Sequence, residues 1–493
     1  MNLNDDKYDA AFKHVFRFLP FVDKIHCELV CYKWKTIIRE LIAQEQEYLI
    51  INENLNEKYR KRKNVYGQND IGIKNNIDSM KALLLKVPNL KKICLGIYGY
   101  DFEFFDFLSE NCPQLDTIVF LEFPFITRIN GQFYKPETEL DQVFYCNQIG
   151  GKLNNSIKHL SLIGLANELM LNALLSNLNH LESLEFKLVV CSNINQSLRM
   201  NNNSLRKLRL NFRNCKSCLD LIIKLKQFGC SENMTNLHLK VIESHESNEI
   251  CQICLAICKE LGAEYPQLEE LTLENIQLII KSETSFLYKL KKLTCSTSHF
   301  SVSLIDANIF GKLKEFNLFN VIIGYDMMSF NGLSRCCPNL EKISLITIKA
   351  EQTQKLTDLN LYSSIFQQIS RLNNLKILIF NNWSADIQDG YEYQQNIYKQ
   401  ELCKILFNTM QRTNLVKYVI SIGNIMSEQT INLIIRFALN QPNKLFVFQD
   451  KWIIKSRINH RCLIPKNIKA EIVCYGIVMS KARRTLNSIF NMN

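Results

Sequence analysis

The chain has 493 residues, 59 Lys+Arg against 48 Asp+Glu for a formal net charge of +11, and 47% hydrophobic residues. That apolar share is ordinary for a chain that folds around a core. No window holds the roughly 18 apolar residues of a membrane span, and the polar, acidic start MNLNDDKYDA does not suit a secretory signal. The positive excess is spread along the chain, which argues against a dedicated nucleic-acid module.

Phe12, Val15, Phe16 and Leu19 recur at i, i+3, i+4 and i+7 and predict one apolar stripe on a first helix. Pro20 removes a backbone donor and biases Leu19 out of helical angles, so this helix stops there. Asp23 can cap or charge a second helix, and Ile25, Leu29, Val30, Trp34, Ile37 and Ile38 carry the apolar pattern onward. Helices this short bury too little surface to stand alone, so the module needs a partner.

These residues resemble the F-box. Leu19-Pro20-Phe21-Val22-Asp23 is similar to the family's Leu-Pro-Phe turn, and Val30-Cys31-Tyr32-Lys33-Trp34 to its V-C-x-x-W signature. The family's usual Leu-Pro-x-Glu opening is replaced here by Lys7, Tyr8, Asp9 and Ala10. The resemblance implies docking on a Skp-type adaptor and, through it, on a cullin. Phe12, Phe16, Leu19, Pro20, Phe21, Ile25, Leu29 and Val30 are the expected adaptor-binding anchors, with Trp34 bracing the module internally. Just beyond lies the densest basic cluster, Lys58-Tyr59-Arg60-Lys61-Arg62-Lys63, read as a solvated linker, a nuclear-import signal or a contact for an acidic surface.

From about residue 80 an apolar-x-x-apolar-x-apolar pattern returns along the chain. It appears as Leu90/Ile93/Leu95, Leu115/Ile118/Phe120, Ile157/Leu160/Leu162, Leu181/Leu184/Phe186, Leu205/Leu208/Leu210 and Met234/Leu237/Leu239. It continues as Leu268/Leu271/Leu273, Leu290/Leu293/Cys295, Leu313/Phe316/Leu318, Leu340/Ile343/Leu345, Leu375/Leu378/Phe380 and, more weakly, Leu415/Tyr418/Ile420. The last two positions alternate with polar ones, as one face of a short strand does. The segments between read as helices that cross back to the next parallel strand. The stretch between Phe120 and Ile157 lacks the pattern and reads as a loop or an atypical unit. Pro88, Pro113, Pro266 and Pro338 each stand two residues before a repeat leucine, where proline ends a helix and extends the chain.

This pattern resembles the leucine-rich repeats attached to F-boxes. The expected fold class is α/β: a leucine-rich-repeat solenoid, with a curved parallel sheet and outer helices, preceded by a small all-α F-box module. The expected division is 1–45 helical module, 46–80 basic linker, 81–450 solenoid and 451–493 C-terminal repeat or cap.

The 18 cysteines sit at apolar positions and read as reduced core thiols. Cys215-x-x-Cys218 and the set Cys251, Cys254 and Cys258 have metal-ligand spacing, but the second set lies on one apolar helical face, and no metal or other cofactor is expected. No phosphate loop, H-E-x-x-H or G-x-S-x-G motif is present, so no catalysis is expected either.

The two modules together suggest a substrate-recognition subunit of an SCF-type (Skp–cullin–F-box) ubiquitin ligase in the cytoplasm or nucleus. Alternatives are a repeat scaffold without a ligase role and a nucleic-acid-associated factor. Strand alternation places Lys207, Arg209, His238 and Lys240 on the face between the repeat leucines, as one basic patch for an acidic or phosphorylated substrate segment. Glu270, Glu274 and Glu315 follow and reverse the sign.

Overall fold

A computed structural model describes residues 8–19, 21–45, 47–51, 70–71, 77–96, 102–123, 127–129, 132–134, 139–153, 156–166, 173–174, 177–189, 204–227, 231–242, 251–280, 288–296, 300–302, 310–320, 322–323, 333–346, 349–350, 355–381, 392–411, 416–421, 428–454 and 468–474. The chain divides into two compact units, Met1–Glu243 and Ser244–Asn493.

The first unit opens with three helices, α1 Asp9–Arg17, α2 Phe21–Cys27 and α3 Tyr32–Glu45. Phe16, Phe21, Ile37, Ile38, Leu41 and Ile42 are buried. The Trp34 ring packs edge-on to Phe16 at 5.0 Å and tilted against Phe12 at 5.8 Å, the bracing role its place in the pattern predicts. Cys31 starts α3: its Sγ accepts the Trp34 backbone N–H at 3.5 Å, satisfying a donor that the helix itself cannot.

Strands β1 Tyr48–Ile51, β2 Asp70–Ile71, β3 Lys92–Leu95, β4 Thr117–Phe123, β7 His159–Ala166, β8 Ser183–Val189, β9 Lys207–Phe212 and β10 Asn236–Val241 stack in the order β2-β1-β3-β4-β7-β8-β9-β10. Each neighbouring pair is parallel. Register aligns one repeat residue per strand: Leu49, Ile93, Ile118, Leu160, Leu184, Leu208 and Leu237 face one another in turn, and all are buried. No single strand could bury that row; stacking makes it a continuous core. Helices α4 Ile77–Leu84, α5 Phe102–Asn111 and α7 Cys215–Gln227 fill crossovers.

The pattern-free stretch before Ile157 holds more order than a loop. It forms an antiparallel hairpin, β5 Thr127–Ile129 with β6 Gln132–Tyr134, and the long helix α6 Glu139–Leu153. Gly150 is required there: a Cβ would sit 2.7 Å from the Leu174 carbonyl oxygen.

The expected boundary at residue 81 is corrected. β1 and β2 lie inside the supposed linker yet pair into the sheet, with Leu49 and Ile50 buried. The leucine pattern misses this rung because Gln46 occupies the position where the next repeat has Leu90. The basic cluster 58–63 lies outside the described residues.

The second unit repeats the design. α8 Gln252–Glu264 precedes β11 Glu270–Glu274, β12 Leu278–Ile280, β13 Lys292–Ser296, β14 Phe300–Val302, β15 Glu315–Phe319, β16 Ile322–Ile323, β17 Lys342–Ile346, β18 Lys349–Ala350, β19 Ile377–Asn381, β20 Lys417–Ser421, β21 Leu445–Ile454 and β22 Ile468–Cys474. One parallel set runs β11-β13-β15-β17-β19-β20-β21-β22 and a second runs β12-β14-β16-β18. Leu271, Leu293, Phe316, Ile343, Leu378 and Tyr418 form the aligned, buried row.

The step from the first set to the second passes through asparagine. Asn275 and Asn320 adopt φ of 57° and 53° after β11 and β15. Their N–H groups donate to Ser296 and Ile346 carbonyls at 2.6 and 2.8 Å, so the left-handed turn keeps its backbone bonds. Asparagine tolerates this region better than other side chains with a Cβ.

α9 Leu333–Cys336, α10 Lys355–Ile369, α11 Glu392–Gln411 and α12 Glu428–Leu439 cover the later strands. Phe366 and Tyr362 of α10 reach Phe380 of β19 at 5.3 and 5.5 Å, and Phe407 stacks on Phe437 at 4.3 Å. Buried leucines in register on stacked parallel strands, with helical returns, make this chain an α/β leucine-rich-repeat solenoid preceded by a small helical module. β21 and β22 pair in parallel through Cys474, so the sheet runs past residue 450; of the expected C-terminal repeat or cap at 451–493, residues 455–467 and 475–493 lie outside the described residues. Among the described residues no helix is long and apolar enough to cross a membrane.

Candidate functional site

Two surfaces carry the residues singled out by sequence. On the helical module, the eight expected anchors separate by burial. Leu29 and Val30, in the turn between α2 and α3, are 85% and 62% exposed, while Phe12, Leu19 and Ile25 are half-buried. Phe16 and Phe21 are corrected: at 2% and 0% exposure they hold the module together and offer nothing to a partner. Pro20 lies outside the described residues. Val15, Phe18 and Tyr32, absent from the expected set, are exposed apolar side chains of the same module. Val15 was expected on the buried stripe of α1, but the helix turns it outward. Phe18 follows the last turn of α1, beyond the reach of helical periodicity.

The second surface is the strand face opposite the buried leucines. Register puts Arg209 beside His238 and beside Glu185, and Lys207 beside Ser183 and Asn236. Lys207 and Arg209 are exposed; His238 and Lys240 are half-buried. The four expected residues therefore do lie on adjacent strands of one face, but they do not form an uninterrupted cation patch. Glu185 accepts a hydrogen bond from Ser161 Oγ at 3.1 Å and pairs with Arg209 at 3.3 Å, neutralising part of the charge. Glu185 sits between Leu184 and Phe186, so the alternation that selected Arg209 selects it too.

In the second unit the expected change of sign is also corrected. Glu270, Lys292, Glu315 and Lys342 follow one another across β11, β13, β15 and β17, alternating in charge. Lys342 reaches Glu315 at 2.7 Å, and Asn317 Nδ2 donates to the same carboxylate at 3.0 Å. Burial pushes the Glu315 carboxyl up, but the bonds from Lys342 and Asn317 outweigh it and hold the group below its usual range. A parallel row on the strand-entry turns pairs Lys291 with Glu269, and Glu341 with both Lys314 and Lys376. Hydrogen bonds from those two lysines hold Glu341 below the usual carboxylate range. Opposite charges on neighbouring rungs are the sheet analogue of helical ion pairs.

The cysteines with metal-ligand spacing have local structural work. Cys251 caps α8: its Sγ accepts the Cys254 N–H at 3.4 Å, and its own N–H donates to Gln277 Oε1 at 2.8 Å. Cys254 and Cys258 are buried on the same helix, and Cys258 Sγ donates to the Gln277 carbonyl at 3.7 Å. Cys215 and Cys218 are buried on α7.

No family model and no curated protein matches the chain. Among solved structures it is similar to an internalin of Listeria monocytogenes, with 13% identity over 68% of this chain and 83% of that one at a TM-score of 0.35. TLR13 in complex with a single-stranded RNA aligns at 14% identity over 79% of this chain and 55% of that one, TM-score 0.38. The leucine-rich-repeat domain of APL1B aligns at 9% identity over 80% and 90%, TM-score 0.24. Scores this low transfer no ligand or role.

Proposed function

We propose that the chain is the cargo-selecting, non-catalytic subunit of an SCF-type ubiquitin ligase. The observation that carries this reading is the exposure of Leu29 and Val30 in the turn that leads into the V-C-x-x-W motif. A folded module with its own core leaves these aliphatic side chains in water. An adaptor that covered them would gain roughly 1.5–3 kcal/mol for each side chain fully buried. The helical module then docks on a Skp-type adaptor bound to a cullin, and the repeats hold the cargo. Holding a cargo lysine near a charged conjugating enzyme raises its effective concentration, which is the whole contribution of such a subunit. Lys207 and Arg209, with His238 and Lys240 beside them, are the first candidates for an acidic or phosphorylated cargo segment. On this reading the protein works in the cytoplasm or nucleus.

The test uses the full-length chain with purified Skp-type adaptor and cullin. Wild type should retain both in a pull-down, and Leu29→Glu with Val30→Glu should lose them with unchanged circular dichroism. The departure from Leu-Pro-x-Glu at residues 7–10 favours a second reading, a repeat scaffold with no ligase role. No retention of the adaptor by wild type at micromolar concentration would select it.

A further inference from the structure

Within the second unit, the outward charged row breaks at β19, and the strand-entry row breaks at Val416 before β20 and resumes with Lys444 before β21. On the outward face the row Glu270, Lys292, Glu315, Lys342 continues as Ile377, Lys417 and Leu445 across β19, β20 and β21. The next outward row changes likewise, from Thr272, Thr294, Asn317 and Ser344 to Ile379 and Val419. On the strand-entry turns Lys376 is followed by Val416, which is 57% exposed. Ile377, Ile379 and Leu445 are half-buried, while Val419 is buried at 8% exposure and adds no surface.

Lys417 stands at the middle of this change. It is exposed, its row neighbours are Ile377 and Leu445, and among the described residues it has no acidic partner. Every earlier lysine of its row has a glutamate on an adjacent strand. The loss of pairing thus coincides with the gain of aliphatic surface, a combination that water does not favour and a complementary ligand does.

We propose that β19–β21 form a docking surface for an extended protein segment with aliphatic side chains around one carboxylate, anchored by Lys417. The proposal rests on the repeats being the cargo-binding part and names the chemistry of that cargo; it does not depend on adaptor docking. The probe is a panel of short, soluble, fluorescein-labelled peptides with isoleucine, glutamate and valine at alternate positions and serine between, beside counterparts carrying glutamine. The full-length chain should bind the glutamate peptides, and the glutamine peptides at least tenfold more weakly. Lys417→Glu and, separately, Ile379→Lys should each weaken binding tenfold or more while the thermal midpoint and adaptor retention stay as in wild type. Absence of binding, equal binding of both peptide sets, or unchanged binding by Lys417→Glu overturns the proposal. A concentration-dependent dimer of wild type that Lys417→Glu dissolves also overturns it, by making a second copy the occupant. Loss of adaptor retention with peptide binding intact would sink the ligase reading alone.

Discussion

Glu28 and Lys86 form an ion pair at 2.7 Å although 58 residues separate them. The Glu28 side chain is only 4% exposed, and Arg39 of α3 approaches the same oxygen at 3.6 Å. The helical module is thereby fastened to the turn that follows α4, at the start of the repeats.

Removing the main cation should leave a buried carboxylate short of a partner. Lys86→Ala is expected to cost about 1–3 kcal/mol, because Lys86 is itself partly in water. Arg39→Ala should cost less, given its longer contact and greater exposure. Hydrogen exchange resolved by peptide would show faster exchange across 21–45 for Lys86→Ala if the pair fastens the module.

The repeat row gives the largest stability effects. Leu208→Ala and Leu271→Ala each remove a fully buried side chain and should cost roughly 2–5 kcal/mol by lost transfer and residual cavity. Urea melts followed by circular dichroism measure this, and neighbouring rungs should lose protection together.

Asn275→Ala asks a side chain without local hydrogen-bonding capacity to hold φ near 57°. The expected loss is about 1–2 kcal/mol, whereas Asn275→Gly should be close to neutral. Thermal midpoints of the pair of variants distinguish backbone strain from a lost contact.

The depressed Glu315 carboxyl predicts an acid dependence. A group whose folded pKa is below its unfolded value stabilises above the unfolded pKa, near 4.5, and loses that contribution as pH falls through the folded value. Glu315→Gln should therefore be less stable than wild type at neutral pH, by up to about 1 kcal/mol after solvent screening. The difference should vanish below the folded pKa. Denaturant titrations at neutral and strongly acidic pH test it.

Burial pushes the Cys112 and Cys146 thiols up to about 11 and about 12, and raises Cys295 and Cys337 further. These groups stay protonated at mildly alkaline pH and are inert while folded. Among the described cysteines, alkylation mapped by mass spectrometry should label the half-exposed Cys27, Cys31 and Cys251 first. Cys112, Cys146, Cys295 and Cys337 should react only as the repeats unfold.

Much of the architecture was legible because one physical requirement recurs. Leu208 and Leu271 lie in near-identical local patterns, and each must bury the same face. The rung at Leu49 was not legible, since Gln46 breaks the pattern and only tertiary pairing with Ile93 reveals it. The hairpin and α6 before Ile157 escaped for a related reason: an insertion need not share the repeat period. Burial on the helical module was legible only in part. Periodicity ranks Phe16 and Leu29 alike, but α2 ends at Cys27 and leaves Leu29 in a turn facing water. The charged face was read from one sign at a time. Glu185 and Lys292 obey the same alternation as the residues chosen, and pairing across strands, invisible along the chain, changes what the surface can attract.

The strand order β2-β1-β3 has a consequence for self-association. A stack of parallel strands ends in a row of unused amide and carbonyl groups, which another molecule could extend like a zipper. Here Asp70-Ile71 pairs in parallel outside β1, so among the described residues the outermost strand on that side is two residues long, begins with an acid and lies against α2. So short and charged a margin offers little to template growth, and concentrated solutions should resist head-on fibre formation from that side.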